Sequence, residues 1–102
     1  MEVCMDQRMV ECFKALGDPV RFEIFKQLRD KEVCACDFLS HLDISQPTLS
    51  FHLKKMASCG LVNVRKDGIW HRYSLNTDLV VELQSVLDLS QEVIDACNKA
   101  CR

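Results

Sequence analysis

A mainly α fold closed by a small β-hairpin is the class this sequence predicts, and three observations carry it. Apolar residues recur at helical spacing through most of the 102 residues, capping residues stand where those runs begin, and Asp67-Gly68 separates two short runs of alternating apolar character. The order that follows is α-α-α-α-β-β-α. No linker, repeat or low-complexity segment divides it, so residues 1–102 read as a single domain.

Each element has its own signal. Met5, Met9, Cys12, Phe13 and Leu16 line one face of a first helix that Gly17 closes. Asp18 can cap the next helix while Pro19 sits where no backbone donor is needed, and Phe22, Ile24, Phe25 and Leu28 supply its apolar side. Asp30-Lys31 breaks the pattern. A short helix over Cys36–Leu42 turns Phe38, Leu39 and Leu42 inward, and Asp43-Ile44 links it tightly to another. Ser45 caps that fourth helix, Leu49, Leu53 and Met56 form its inner stripe, and Gly60 ends it. Two helices joined by so short a link make a helix-turn-helix.

The runs Leu61–Arg65 and Ile69–Leu75 flank Lys66-Asp67-Gly68, and Asp-Gly is a strong hairpin signal because both residues tolerate positive φ. That hairpin would be a wing, which makes the whole a winged helix-turn-helix. Asn76 then caps one long helix in which Leu79, Leu83, Val86, Ser90, Val93, Cys97 and Cys101 keep helical spacing to the C-terminus.

Composition narrows the function. With 48% apolar and 27% charged residues the chain is ordinary for a globular protein, and no apolar run reaches membrane-spanning length. The start, Met1-Glu2-Val3-Cys4-Met5-Asp6, has acids where a secretion signal has lysines, so a cytoplasmic location is expected. A domain this small buries a modest fraction of its surface, which favours a second copy as partner. No phosphate loop, nucleophile triad or paired carboxylates appear, so neither an enzyme nor a small-molecule substrate is expected.

The net charge of −2 conceals a division. Residues 45–72 hold Lys54, Lys55, Arg65, Lys66 and Arg72 against Asp67 alone, a local +4 that leaves −6 on the other 74 residues. The basic stretch coincides with the fourth helix and the hairpin, as an interface for double-stranded operator DNA requires. Opposite the Leu49/Leu53/Met56 stripe lie Pro47, Thr48, Phe51, Lys54, Lys55 and Ser58, with Gln46, Ser50 and His52 at the edges. Ser45, Gln46 and Thr48 stand at the end a recognition helix points at base edges, and Ser50 and His52 extend that DNA face. Lys54, Lys55, Arg65 and Lys66 suit phosphate contacts. Phe51 either touches a thymine methyl or tucks under the wing.

Four motifs in order, Leu16-Gly17-Asp18-Pro19-Val20-Arg21, Val33-Cys34-Ala35-Cys36-Asp37, Ile44–Leu53 and Arg65-Lys66-Asp67-Gly68, resemble the ArsR/SmtB family of winged-helix repressors. The motifs span about residues 10–76. The resemblance implies a homodimer formed through the first and last helices, bound to an operator until an inducer releases it, with no cofactor required for DNA binding.

Seven cysteines, an odd number without a secretion signal, point to metal binding or thiol chemistry rather than structural disulfides. Residues two apart diverge on a regular helix, so Cys34 and Cys36 can converge only at an irregular helix entrance, where the positive helix end would lower the thiol pKa. Two small buried residues are the plainer alternative. The resemblance marks this pair as a metal-binding run. Its arsenite pattern often adds a cysteine three residues later, where this chain has Leu39, while its cadmium and lead pattern recruits N-terminal cysteines, here Cys4 or Cys12. Cys12 alternatively packs with Met9 and Phe13. Cys97 and Cys101, one turn apart, could also chelate. The last helix has no histidine, against a zinc or nickel site of the family's design, and Cys59 reads as a packing residue. His41 and His71 are isolated and read as surface or hydrogen-bonding residues.

A repressor released by arsenite, or next by cadmium or lead, bound to thiolates is the leading reading. A second makes the input oxidation or reactive sulfur, with Cys34 or Cys36 joined to Cys97 or Cys101. A metal carrier or thiol oxidoreductase using Cys34-x-Cys36 is weaker, since a basic recognition helix would then have no purpose.

Overall fold

The computed structural model describes residues 3–100, and side chains from 7 to 99. In order they form α1 (Val3–Leu16), α2 (Pro19–Leu28), β1 (Val33–Cys34), α3 (Ala35–His41), α4 (Gln46–Ser58), β2 (Val62–Asp67), β3 (Trp70–Leu75), α5 (Thr77–Leu87) and α6 (Gln91–Ala100). The helix starts follow their caps. Asp18 accepts from the backbone N–H of Val20 at 2.9 Å and of Arg21 at 3.1 Å. Ser45 Oγ accepts from Thr48 N at 3.3 Å, and Asn76 Oδ1 from Leu79 N at 3.4 Å.

One core joins all elements except α6. Cys12 of α1, Ile24 and Leu28 of α2, Val33 of β1, Phe38 of α3, Leu49, Leu53 and Met56 of α4, Leu61 and Val62, and Leu79 and Leu83 of α5 are buried together. The inner stripe of α4 lies where its spacing placed it. Phe22 does not: it is exposed, with Lys26 Nζ 5.4 Å from its ring centre, because only Ile24 and Leu28 of α2 face fully inward.

Three further features depart from the sequence-based order. The sheet has three strands, β1-β3-β2, all antiparallel, because Val33 and Cys34 pair with Tyr73 and Arg72. Two residues carry too little alternation to be read as a strand. The hairpin turn lies one residue later than Asp-Gly: Asp67 pairs with Trp70, so Gly68-Ile69 forms the loop. Within this turn only Gly68 takes positive φ, at 65°, and a side chain there would be strained although nothing crowds it.

The expected long terminal helix is two. Asp88 is extended (φ −73°, ψ 130°), and Ser90 Oγ accepts from Val93 N at 3.2 Å, a new helix start. Helical spacing continues across the break by coincidence of phase, while the capping serine sets a second axis. No helix among the described residues is long and apolar enough to cross a membrane.

Asp18→Ala should lower the unfolding free energy by about 1 kcal/mol in urea titrations near neutral pH. Hydrogen bonds from the Arg21 and Val20 amides hold the Asp18 carboxyl below its ordinary value against some desolvation. Its stabilisation is therefore complete above the ordinary carboxylate range and lost as pH falls through the depressed folded value. The difference between native and variant should shrink over that acid window.

Candidate functional site

The outer side of α4 is a continuous exposed face. Gln46, Pro47, Thr48, Ser50, Phe51, Lys54, Lys55 and Ser58 are all exposed, beside the exposed cap Ser45. Phe51 lies in the open rather than under the wing, edge-on to His52, with Lys55 Nζ 5.5 Å from its ring centre. Lys54, Lys55 and Lys66 make no ion pair among the described residues. Arg65, expected to be available for phosphate, donates through Nε at 3.1 Å and through a terminal nitrogen at 2.8 Å to the two oxygens of Glu32. Arg72 is tied to Asp67 at 3.1 Å. Both pairs are exposed, so exchange of either partner for a phosphate costs little.

His52 was expected on this face and belongs to the other. Only 9% exposed, its Nδ1 lies 3.0 Å from a terminal nitrogen of Arg21 and 3.8 Å from Asp18 Oδ2. A guanidinium only donates, so Nδ1 accepts from Arg21 and the ring proton of that tautomer resides on Nε2. Arg21 Nε meanwhile donates to the carbonyl of Ala15 at 2.7 Å. One arginine at the start of α2 thus bridges α1 to the middle of α4. The spacing 49, 52, 53, 56 could have revealed this, since His52 fits the inner stripe of i, i+3, i+4 and i+7.

The thiols sort differently from expectation. Cys34, extended at φ −78° and ψ 147°, stands before the first turn of α3, and Cys36 lies within that turn. This irregular entrance brings Cys36 Sγ to 3.1 Å from Cys34 Sγ. Cys34 is buried and Cys36 exposed. The helix end does not win the electrostatic contest: the Cys36 thiol is pushed above its ordinary value, first by its hydrogen bond to Cys34, then by desolvation and the negative charge of Cys34 and Asp37. A helix of seven residues offers a weak counterweight.

No third described residue joins them as a ligand. Among the described residues no group of three or more His, Cys, Asp or Glu side chains is placed to hold a metal ion. Cys12 is fully buried beside Cys59 instead of approaching Cys34. Cys97 is exposed on α6. The Cys4 side chain and Cys101 lie outside the described residues. His41 and His71 are exposed, as expected.

Residues 18–64 match the model of a bacterial regulatory protein family, arsR. Over 87% of this chain and 84% of the relative, 42% of residues are identical to an arsenical resistance operon repressor from Staphylococcus xylosus. The chain belongs to the ArsR family. Another relative of this ArsR-family chain is a probable mercury resistance operon repressor from Streptomyces lividans, 32% identical over 85% of this chain and 73% of the relative. An ArsR-like transcriptional regulator from Rhodococcus sp. RHA1 superposes with a TM-score of 0.72 at 27% identity, covering 98% of this chain and 88% of the other. ArsR-family membership makes the chain a DNA-binding transcriptional repressor rather than an enzyme, with α4 at the position of the recognition helix.

The raised Cys36 thiol sets a reactivity test. Alkylation of Cys36 by iodoacetamide should be slower at neutral pH than that of an equally exposed unperturbed thiol, and should keep accelerating above pH 9.0, the ordinary value. Quantitative peptide mapping across pH reads it. A rate that levels off below that pH would contradict the assignment.

Proposed function

We propose that this ArsR-family chain is a cytoplasmic homodimeric repressor, released from double-stranded operator DNA when a soft metalloid or metal binds Cys34 and Cys36. Arsenite is favoured, with cadmium and lead next. The 3.1 Å approach of the two sulfurs, at a point joined by backbone to the wing, carries the reading. The names of the arsenical and mercury resistance relatives support a soft inducer.

Ser45, Gln46, Thr48 and Ser50 would meet base edges and nearby backbone, Lys54, Lys55 and Lys66 the phosphates, and Arg65 a phosphate after leaving Glu32. Apolar surface supports the dimer. Val10 and Phe13 on α1, and Val86, Leu89 and Val93 at the end of the chain, are exposed, and a cleft of about 610 Å³ opens between α1, α2 and α5. A second copy would cover these faces. It would also supply the missing ligands, from Cys97, Cys101 or Cys4.

The route from thiol to DNA is short. Coordination takes the proton from each sulfur and replaces the Cys36–Cys34 hydrogen bond with metal–sulfur bonds. Cys34 is paired with Arg72 in β3, so moving it moves the wing, and Cys36 opens the helix that precedes α4. Reversing a 99:1 preference for the DNA-bound form takes about 5.5 kcal/mol of differential affinity, within reach of several metal–sulfur bonds.

The test titrates reduced protein on a duplex carrying its own promoter with arsenite, cadmium, lead and zinc, following release by fluorescence anisotropy. Arsenite should release the native protein, and Cys36→Ser should abolish the response while leaving inducer-free binding intact. Unchanged operator affinity with arsenite, cadmium and lead would contradict the proposal.

A further inference from the structure

A second pair of cysteines stands at the C-terminal end of the recognition helix. Cys12 lies in the middle of α1, and Cys59 caps the C-terminal end of α4, 47 residues away in sequence. Cys12 Sγ donates to the Cys59 carbonyl at 3.5 Å. Cys59 Sγ donates to the Met56 carbonyl at 3.2 Å, in the last turn of α4. The same junction places the Arg8 guanidinium where a side chain on Gly60 would stand, at φ +87°. Helix α1 therefore grips the end of the recognition helix at two successive residues.

Access to the two thiols differs. Cys12 is fully buried, whereas Cys59 is half-buried and lines a cleft of about 230 Å³ with Glu11, Lys14, Arg21, Lys55 and Ser58. Three cationic side chains and one acid wall that cleft, and it opens beside Lys55 of the exposed α4 face. A small oxidant can reach Cys59 and cannot reach Cys12 directly, which fixes the order of any reaction.

We propose that Cys59 and Cys12 form a peroxide-oxidisable pair whose disulfide lowers operator affinity, an input separate from the Cys34/Cys36 site. The Cys59 thiolate attacks hydrogen peroxide. Its O–O bond breaks, one oxygen stays as the Cys59 sulfenic acid, and the other leaves as hydroxide, which takes a proton to become water. The Cys12 sulfur then displaces the hydroxyl of that sulfenic acid, the S–S bond forms, and the Cys12 proton leaves with the hydroxyl as a second water. Two thiols lose two electrons in total and the peroxide gains them.

Burial and the neighbouring Cys59 push the Cys12 thiol up to about 12, so Cys12 waits as a thiol until Cys59 has reacted. Closure draws Cys59 Sγ off the Met56 carbonyl and fastens the end of α4 to α1. Recognition helices placed for an operator would then be re-aimed.

The test treats reduced full-length protein briefly with hydrogen peroxide and maps peptides by mass spectrometry, without DNA. The native protein should yield a Cys12–Cys59 cross-linked peptide. Cys12→Ala should instead accumulate a Cys59 sulfenic acid trapped by dimedone, and Cys59→Ser should leave Cys12 unmodified. Promoter-duplex affinity of the oxidised native protein should fall by about tenfold, a usual size for coupled sites, and return with dithiothreitol, while oxidised Cys59→Ser stays unchanged. Equal sulfenic acid in native protein and Cys12→Ala, or a cross-link without loss of affinity, would overturn the proposal. Binding by the untreated, reduced protein is measured first. Its absence would count against the preceding reading alone, since the cross-link is read independently.

Discussion

The hydrogen bond between Arg21 and His52 is the constraint on which the working geometry of this molecule depends. A recognition helix must offer one face to DNA while its other face holds it at a fixed angle, and apolar packing by Leu49, Leu53 and Met56 is non-directional. The 3.0 Å bond to His52, from an arginine that also holds the Ala15 carbonyl, adds direction to that packing. It ties the rotation of α4 to the start of α2 and the end of α1. Asp18, which caps α2 through the Arg21 and Val20 amides, fixes the arginine's own backbone.

Around that fixed point the thiols occupy two distinct stations. Cys34 and Cys36 sit where the strand paired with the wing gives way to the helix before α4, so a ligand bound there, as proposed, would act on the approach to the recognition element. Cys12 and Cys59 sit where α4 ends, so a bond there acts on its exit. In the proposed dimer, a small chemical event at either station would change the spacing of two recognition helices.

The architecture was legible wherever one strong local signal decided the outcome. Asp18, Ser45 and Asn76 cap the helices they announce, and the inner stripe of α4 is buried as its spacing required. What escaped depended on weaker or non-local terms. Strand β1 exists only because Val33 and Cys34 find Tyr73 and Arg72 across the sheet. The break at residues 88–90 is set by a serine cap inside an unbroken apolar phase. At the site, the Cys34/Cys36 convergence was readable from the helix entrance, but the upward push on Cys36 arises from a neighbour at 3.1 Å. His52 was misplaced because a polar residue at a helix edge looks like a contact residue until its buried partner, 31 residues earlier, is known.

The claim that Arg21 and His52 hold the recognition helix through a direct bond is tested most directly by a double-mutant cycle. Arg21→Ala, His52→Ala and the double variant are compared with the native protein by urea unfolding. A direct bond gives a coupling free energy of about 1 kcal/mol, with the double variant less destabilised than the sum of the singles. Additivity to within about 0.3 kcal/mol would mean that the two side chains stabilise the fold independently, and would contradict it.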